Sequence, residues 1–226
     1  MQTPDKKNNH IIRLKQNGVV INPKSPHGGF KLKFIPKEDG ISFNVNTFFS
    51  DSSHIVPEIE DSGTPLKIDN ITGPVKKLND TTFQICFNKL GFNNKKRSNS
   101  IWLIAYNKGN EYYKSAVQDI NINFPLYNEE GKEQFIDFPK IENQPEGVKT
   151  IALHAQSNEE VPIHYYVKYG PAYIKGDPLI FVPLPSRTRY PVKISVVAWQ
   201  YGISGILQSA MPVERSFFIK QSDDDT

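Results

Sequence analysis

The sequence predicts an all-β chain of two tandem β-sandwich domains, and three observations carry that prediction. The first is a repeat: residues 62–124 and 158–219 read as one module written twice. Pro65 stands eight residues before Gly73-Pro74 and Pro162 eight residues before Gly170-Pro171, so both marker sets are offset by 97. Downstream, Ile101-Trp102-Leu103-Ile104-Ala105-Tyr106 matches Ile194-Ser195-Val196-Val197-Ala198-Trp199, with Ala105/Ala198 and Gly109/Gly202 offset by 93. Ser115-Ala116 then matches Ser209-Ala210 at an offset of 94. Solenoid units run about 20–50 residues, so a repeat of this length is a duplicated domain. The second observation is composition. Seventeen Pro and 14 Gly punctuate 226 residues, as many short strands joined by turns require, while 14 Phe and 10 Tyr suit a pleated, half-buried surface. The third is that no segment sustains a 3.6-residue apolar period with capping residues, so almost no helix is expected.

The elements follow in order. Residues 1–28 read as an N-terminal extension, polar through His10, with a hairpin over Ile11 to Ile21 turning at Asn17-Gly18, a pair that tolerates positive φ. Domain 1 is expected over 29–127. Phe30, Leu32 and Phe34 alternate with Lys31, Lys33 and Ile35, and Glu38-Asp39-Gly40 turns the chain into Ile41, Phe43 and Val45. Residues 49–64 are a long acidic loop, and strands are expected near 65–71, 82–87, 100–106 and 117–124. Pro125 to Lys132 reads as a short polar linker. Domain 2, over 133–220, carries strands near 134–138, 148–155, 161–168, 179–182, 192–199 and 213–219, and residues 221–226 form a disordered acidic tail. Six or seven short strands per module indicate a sandwich. The Ile-x-Leu/Val-x-Ala strand should be central in each copy, with Ile101, Leu103 and Ala105, and Ile194, Val196 and Ala198, facing inward.

Length allows two cores of about 100 residues each. Charge is balanced, 27 basic against 24 acidic residues, and the one dense basic run is Asn93-Asn94-Lys95-Lys96-Arg97. Nucleic-acid proteins concentrate basic residues on one face, so nucleic acid is not an expected partner. The single cysteine, Cys86, supports neither an internal disulfide nor a zinc site, and reads as a small strand hydrophobe. No run approaches the ~18 apolar residues of a membrane span, and the N-terminus does not read as a signal peptide.

The second module resembles bacterial immunoglobulin-like (Big-type) repeats. The residues that carry the resemblance are Gln134-Phe135-Ile136-Asp137-Phe138-Pro139, then Val161-Pro162, Gly170-Pro171-Ala172, Val196-Val197-Ala198 and Pro212-Val213-Glu214-Arg215-Ser216-Phe217. In the first module, Gly109-Asn110-Glu111-Tyr112-Tyr113-Lys114-Ser115-Ala116 is similar to a loop of the same repeats. Coverage is good over 134–220, fair over 62–124 and poor over 1–60. The resemblance implies two immunoglobulin-like sandwiches on a bacterial surface or secreted protein, placed at the cell surface or outside the cell. It implies no shared active site.

Residue patterns for catalysis are missing from the sequence. No Gly-x-Ser-x-Gly elbow is present, and Gly28-Gly29 lacks the Lys-Ser/Thr and helix of a phosphate cradle. His10, His27, His54, His154 and His164 show no metal spacing, although His154 and His164 flank one turn; both read as surface strand residues. Glu58, Glu60 and Asp61 offer oxygen ligands for Ca²⁺, with a solvated acidic loop as the plainer reading. No catalytic residue, cofactor or metal is therefore assigned, and the chain is not expected to be an enzyme. Three aromatics remain as stacking candidates: Trp102, Trp199 and Tyr201. Flat exposed rings bind sugars, but Trp199 and its counterpart Tyr106 equally suit plugs at the end of each sandwich, and their duplication favours the plug. Trp102, opposite in parity to its inward neighbours, is either exposed or covered by another domain.

Two functions follow as expectations. One is a non-catalytic tandem serving as spacer, scaffold or interaction module, most simply a monomer. The other is a carbohydrate-binding module attached to a polysaccharide-degrading system, whose partner is a polysaccharide. Specific function should lie where the copies differ: the 49–64 loop, the 93–97 loop, and Trp102 against Ser195.

Overall fold

The computed structural model describes residues 11–16, 18–21, 30–50, 65–88, 92 and 99–221. Among them every regular element is a strand, and no helix is long and apolar enough to cross a membrane. The chain separates into two compact units. Unit 1 comprises residues 1–86 and 98–125; unit 2 comprises residues 87–97 and 126–226.

Among its described residues unit 1 holds ten strands: β1 (Ile11–Gln16), β2 (Val19–Ile21), β3 (Phe30–Lys33), β4 (Ser42–Asn44), β5 (Asn46–Ser50), β6 (Lys67–Thr72), β7 (Val75–Lys77), β8 (Thr82–Ile85), β9 (Ser100–Asn107) and β10 (Ala116–Asn123). One sheet runs β3-β10-β9-β6, with β3 parallel to β10 and the other pairs antiparallel. Opposite it, β4-β8-β7 forms one ladder and β2-β1-β5 another. Unit 2 repeats the plan with β11 (Ile136–Asp137), β12 (Gln144–Pro145), β13 (Thr150–Ile151), β14 (Gln156–Ser157), β15 (His164–Tyr169), β16 (Ala172–Ile174), β17 (Leu179–Phe181), β18 (Val192–Trp199) and β19 (Val213–Lys220). Its first sheet is β12-β19-β18-β15, again with one parallel edge pair, and facing it stand β13-β17-β16 and β11-β14. In both units a C-F-G layer (β6-β9-β10 and β15-β18-β19) gains a parallel edge strand and faces the ladders that supply the A, B, E and D strands, the two layers of an immunoglobulin-like sandwich.

The duplication holds strand by strand. β6/β15, β7/β16 and β8/β17 all begin 97 residues apart. Even the irregularities repeat: β6 bulges against β9 between Asn70 and Thr72, and β15 against β18 between Val167 and Tyr169, at the same offset. The Gly-Pro markers follow each bulge for a steric reason. A Cβ on Gly73 would stand 2.7 Å from the Ser100 carbonyl oxygen, and one on Gly170 would stand 2.5 Å from that of Lys193. Both glycines also have positive φ, +112° and +99°, which L side chains rarely adopt. The polar residues Asn107 and Gln200, 93 apart and both buried, repeat as well: each accepts the N–H of the glycine two residues on, Gly109 at 2.8 Å and Gly202 at 2.7 Å.

The cores are where alternation places them. Ile101, Leu103, Ala105, Ile194, Val196 and Ala198 are all fully buried. Phe43 stacks on Phe83 inside unit 1, and Phe181 meets Phe217 edge-on inside unit 2. The opening motif of the second module is anchored at both ends: Ile136 and Phe138 enter the core, while buried Gln134 donates to the Gln208 carbonyl at 2.7 Å and accepts from Ser157 at 3.0 Å.

Three expected boundaries shift. The hairpin over 11–21 is no separate extension, since β1 pairs with β5 and buries Ile12 and Leu14 in unit 1. Residues 128–132 of the expected linker are instead tied to the loop before β19. The Ser209 N–H bonds the Asn128 carbonyl and the Lys132 N–H bonds the Ile206 carbonyl, each at 2.8–2.9 Å. Residues 87–97, expected in domain 1, belong to unit 2. The acidic tail from 222, the loop over 51–64 and the basic run 93–97 lie outside the described residues.

Candidate functional site

Strand parity creates the feature that distinguishes the two units. In β9 and β18 every second residue enters the core, so Trp102, Ile104 and Tyr106, and Ser195, Val197 and Trp199, point to the outer face. Their cross-strand neighbours correspond one to one. Thr72, Asp69 and Lys67 oppose Trp102, Ile104 and Tyr106; Tyr169, Tyr166 and His164 oppose Ser195, Val197 and Trp199.

On unit 2, where Tyr169 opposite Ser195 stays exposed, the end of this outer face around Trp199 and Tyr166 is closed by an aromatic layer. Phe87 and Phe92, 6% and 1% exposed, lie over it. Phe87 meets Trp199 edge-on at 4.6 Å between ring centroids, and Phe92 stacks on Trp199 at 5.8 Å and meets Tyr201 at 5.9 Å. The Phe92 N–H donates to the Tyr166 hydroxyl at 3.3 Å, and the His164 ring adds a tilted contact to Trp199 at 4.9 Å. Trp199 and Tyr201 are therefore only 2% and 3% exposed. This corrects the stacking expectation for both residues, because neither ring offers a face to a ligand. It also refines the plug reading: Trp199 fills the outer surface of a sheet, beneath a segment that arrives from between β8 and β9. The indole N–H of Trp199 is buried with no hydrogen-bond partner among the described residues. In unit 2 the segment between β17 and β18 stays at home, with Leu184 and Tyr190 packed on the unit's own core.

On unit 1 the same face is open and polar. Where unit 2 has Tyr166 and Trp199, unit 1 has Asp69 and Tyr106. Lys77 contacts Asp69 at 2.9 Å and the Tyr106 hydroxyl donates to the second Asp69 oxygen at 2.9 Å. Those bonds from Lys77 and Tyr106 hold the Asp69 carboxyl below its ordinary range, and the bond to Asp69 pushes the Tyr106 phenol up. One strand position along, Trp102 is 39% exposed. Thr72, Trp102, Asn121 and Lys31 stand opposite one another across β6, β9, β10 and β3, and Asn123 and Lys33 occupy the next row beside Ser100. Of the three proposed stacking aromatics, Trp102 alone presents its ring to solvent.

The remaining sequence candidates are placed as follows. His154 is exposed and His164 packs on Trp199; His10, His27 and His54 lie outside the described residues. The Glu58, Glu60 and Asp61 group also lies outside them, and among the described residues no group of three or more His, Cys, Asp or Glu is placed to hold a metal ion. Cys86 is half-buried, and burial raises its thiol pKa, which disfavours the reactive thiolate. Sequence reasoning missed Phe87 and Phe92 as the cover of unit 2. The signal was parity: Trp199, next to inward Ala198, had to face out and required something to cover it.

No protein-family model and no curated protein matches the chain. Solved structures with some likeness include Drosophila N-cadherin EC1-4, at 11% identity and TM-score 0.29 over 86% of this chain and 48% of that one. Human protocadherin-24 EC1-2 is at 9% identity and TM-score 0.30, over 86% of this chain and 94% of that one. The fibronectin(III)-like modules of Clostridium thermocellum CbhA are at 12% identity and TM-score 0.26, over 91% and 97%. The chain thus spans about half the length of the N-cadherin fragment.

Proposed function

We propose that this chain is a non-catalytic immunoglobulin-like tandem serving as an interaction module of a bacterial surface or secreted protein, with unit 1 presenting the contact face and unit 2 acting as scaffold. One observation carries the reading. The same outer sheet face exists twice: in unit 2 Phe87 and Phe92 seal its end around Trp199 and Tyr166, whereas in unit 1 the corresponding Tyr106 and Asp69 are part-exposed and the exposed Trp102 stands where unit 2 has the buried Ser195. A duplicated scaffold that leaves one copy's face uncovered has a surface on which contact can occur at no cost to its core.

The test is retention of the full chain on immobilised extracellular polysaccharides and adhesive ectodomains, comparing wild type with Trp102→Ala and with Tyr173→Ala. Tyr173 is exposed on the opposite sheet of unit 2. Loss of retention with Trp102→Ala alone supports the reading. Equal retention of all three proteins contradicts it.

A second reading, carbohydrate binding, is favoured by the surroundings of Trp102. Its direct cross-strand neighbours are Thr72 and Asn121, a hydroxyl and an amide beside a flat ring. Sugar recognition uses that combination of an apolar platform and polar groups that fix orientation.

A further inference from the structure

We propose that the face around Trp102 binds an acidic polysaccharide, with a sugar ring on the Trp102 indole and the sugar's carboxylate or sulfate groups against Lys31 and Lys33. The inference rests on the reading of unit 1's outer face as the contact surface, and adds the chemistry of what it contacts.

Register defines the site. Thr72, Trp102, Asn121 and Lys31 form one row across four neighbouring strands, and Ser100, Asn123 and Lys33 form the next. Directly opposed residues share a face, and strands lie ~4.8 Å apart, so the first row spans ~14 Å. Its central ring supplies the apolar platform. Thr72 and Asn123 are exposed and Asn121 is half-buried, so hydroxyl and amide groups flank the ring on both sides. At the β3 edge Lys31 and Lys33 are exposed, and neither is ion-paired among the described residues.

Charge is polarised along the strands. The rows of Ser100 and Trp102 contain two ammonium groups and no carboxylate. Among the described residues the carboxylates of this face, Asp69 and Asp119, occupy the row of Ile104, on the side of Trp102 away from Lys33. Among the described residues, the charged groups that an anion over the first two rows meets are these lysines, and exposed lysines attract it through charge-assisted hydrogen bonds. A nucleic acid would use several stacking rings and a longer basic track to neutralise successive phosphates, whereas the rows of Ser100 and Trp102 hold one ring and two lysines, and Lys67 and Lys77 farther along act on the Asp69 carboxylate. Unit 2 shows that the set is specific to unit 1. There Ser195 replaces Trp102 and bonds Ser216 opposite it at 2.5 Å, and the edge strand Gln144–Pro145 pairs with Ile219 and Lys220, farther along than the rows that hold Lys31 and Lys33 in unit 1.

The experiment is affinity electrophoresis of the full chain through gels containing polygalacturonate, neutral dextran or neutral xyloglucan, at low and raised salt, with oligo(dT) as a competing polyanion. The expected result is retardation by polygalacturonate that raised salt weakens, with neutral polymers at least about tenfold weaker. Both Trp102→Ala and the double variant Lys31→Glu/Lys33→Glu should weaken polygalacturonate binding about tenfold or more. All three positions are outside the core, so an unchanged thermal midpoint verifies folding. Retardation by neutral polymers that depends on Trp102 but not on the lysines overturns the acidic ligand and leaves the contact face standing. No retardation by any polysaccharide, or tighter binding of oligo(dT) than of polygalacturonate, overturns the inference outright.

Discussion

The ring of Phe92 lies stacked on that of Trp199, centroids 5.8 Å apart and planes inclined by 30°. Phe92 leaves the first module between β8 and β9 and completes the second. Phe92→Ala removes the face that covers Trp199 and Tyr201 and should cost about 3–5 kcal/mol. In a Trp102→Phe background Trp199 is the only indole, so its emission should shift to the red as water reaches it. A destabilisation below about 1 kcal/mol with unshifted emission would contradict the burial described.

Gly147 and Gly170 separate two costs of replacing a glycine. Both have positive φ, +83° and +99°, but a Cβ on Gly147 meets nothing within 4 Å while one on Gly170 meets backbone of β18. Gly147→Ala should cost about 1–2 kcal/mol from conformation alone. Gly170→Ala adds a clash with immovable backbone and should cost about 3 kcal/mol or more. Urea midpoints of the two variants should differ accordingly, and equal midpoints would remove the steric account of the repeated Gly-Pro.

Ala105 and Ala198 are fully buried at equivalent places in β9 and β18. Leucine at either position overfills a close-packed layer, with an expected cost of about 1–3 kcal/mol. Thermal denaturation of Ala105→Leu and Ala198→Leu checks this, and an unchanged midpoint in either would show room that the structure does not.

Asp39 sets a pH dependence. Its Oδ1 accepts the N–H groups of Ile41 at 3.0 Å and Ser42 at 2.7 Å, closing the turn into β4. Burial works to raise the carboxyl, and the hydrogen bonds from Ser42 and Ile41 outweigh it, so the group sits below its ordinary value of 3.8. A folded-state pKa below the unfolded one means the contribution is complete above the unfolded value and disappears as pH falls through the lower folded value. Asp39→Asn keeps the acceptor without the titration. Urea midpoints from about pH 7 to about pH 2.5 should show the wild-type advantage shrinking below about pH 4. A constant difference across that range would exclude Asp39 as the source.

Legibility in the sequence followed the physics of each feature. Strands with a two-residue period could be read because each has one wet face, as with Phe30-Lys31-Leu32-Lys33, and the inward Ile-x-Leu/Val-x-Ala sets were identified to the residue. Short pieces such as β12 and β14, two residues each, carry too few side chains for any period to show. Trp199 could be placed outside the core by its parity against Ala198, but not beneath Phe92, because the pairing spans two modules and no local pattern encodes it. Trp102 was legible as the odd residue of its strand. Lys31 and Lys33 were not, since only the parallel pairing of β3 with β10 brings them beside it.

The membership of residues 87–97 in unit 2 has a consequence for where such a chain can be divided. Cutting at Pro125, where a reader of the repeat would divide it, yields a second module stripped of Phe87 and Phe92, with Trp199, Tyr201 and Tyr166 laid bare. Such a fragment would be a sticky, aggregation-prone product rather than a transferable domain. The junction that divides the repeat in sequence is therefore not the one that divides the chain in space, and the second half is written partly inside the first.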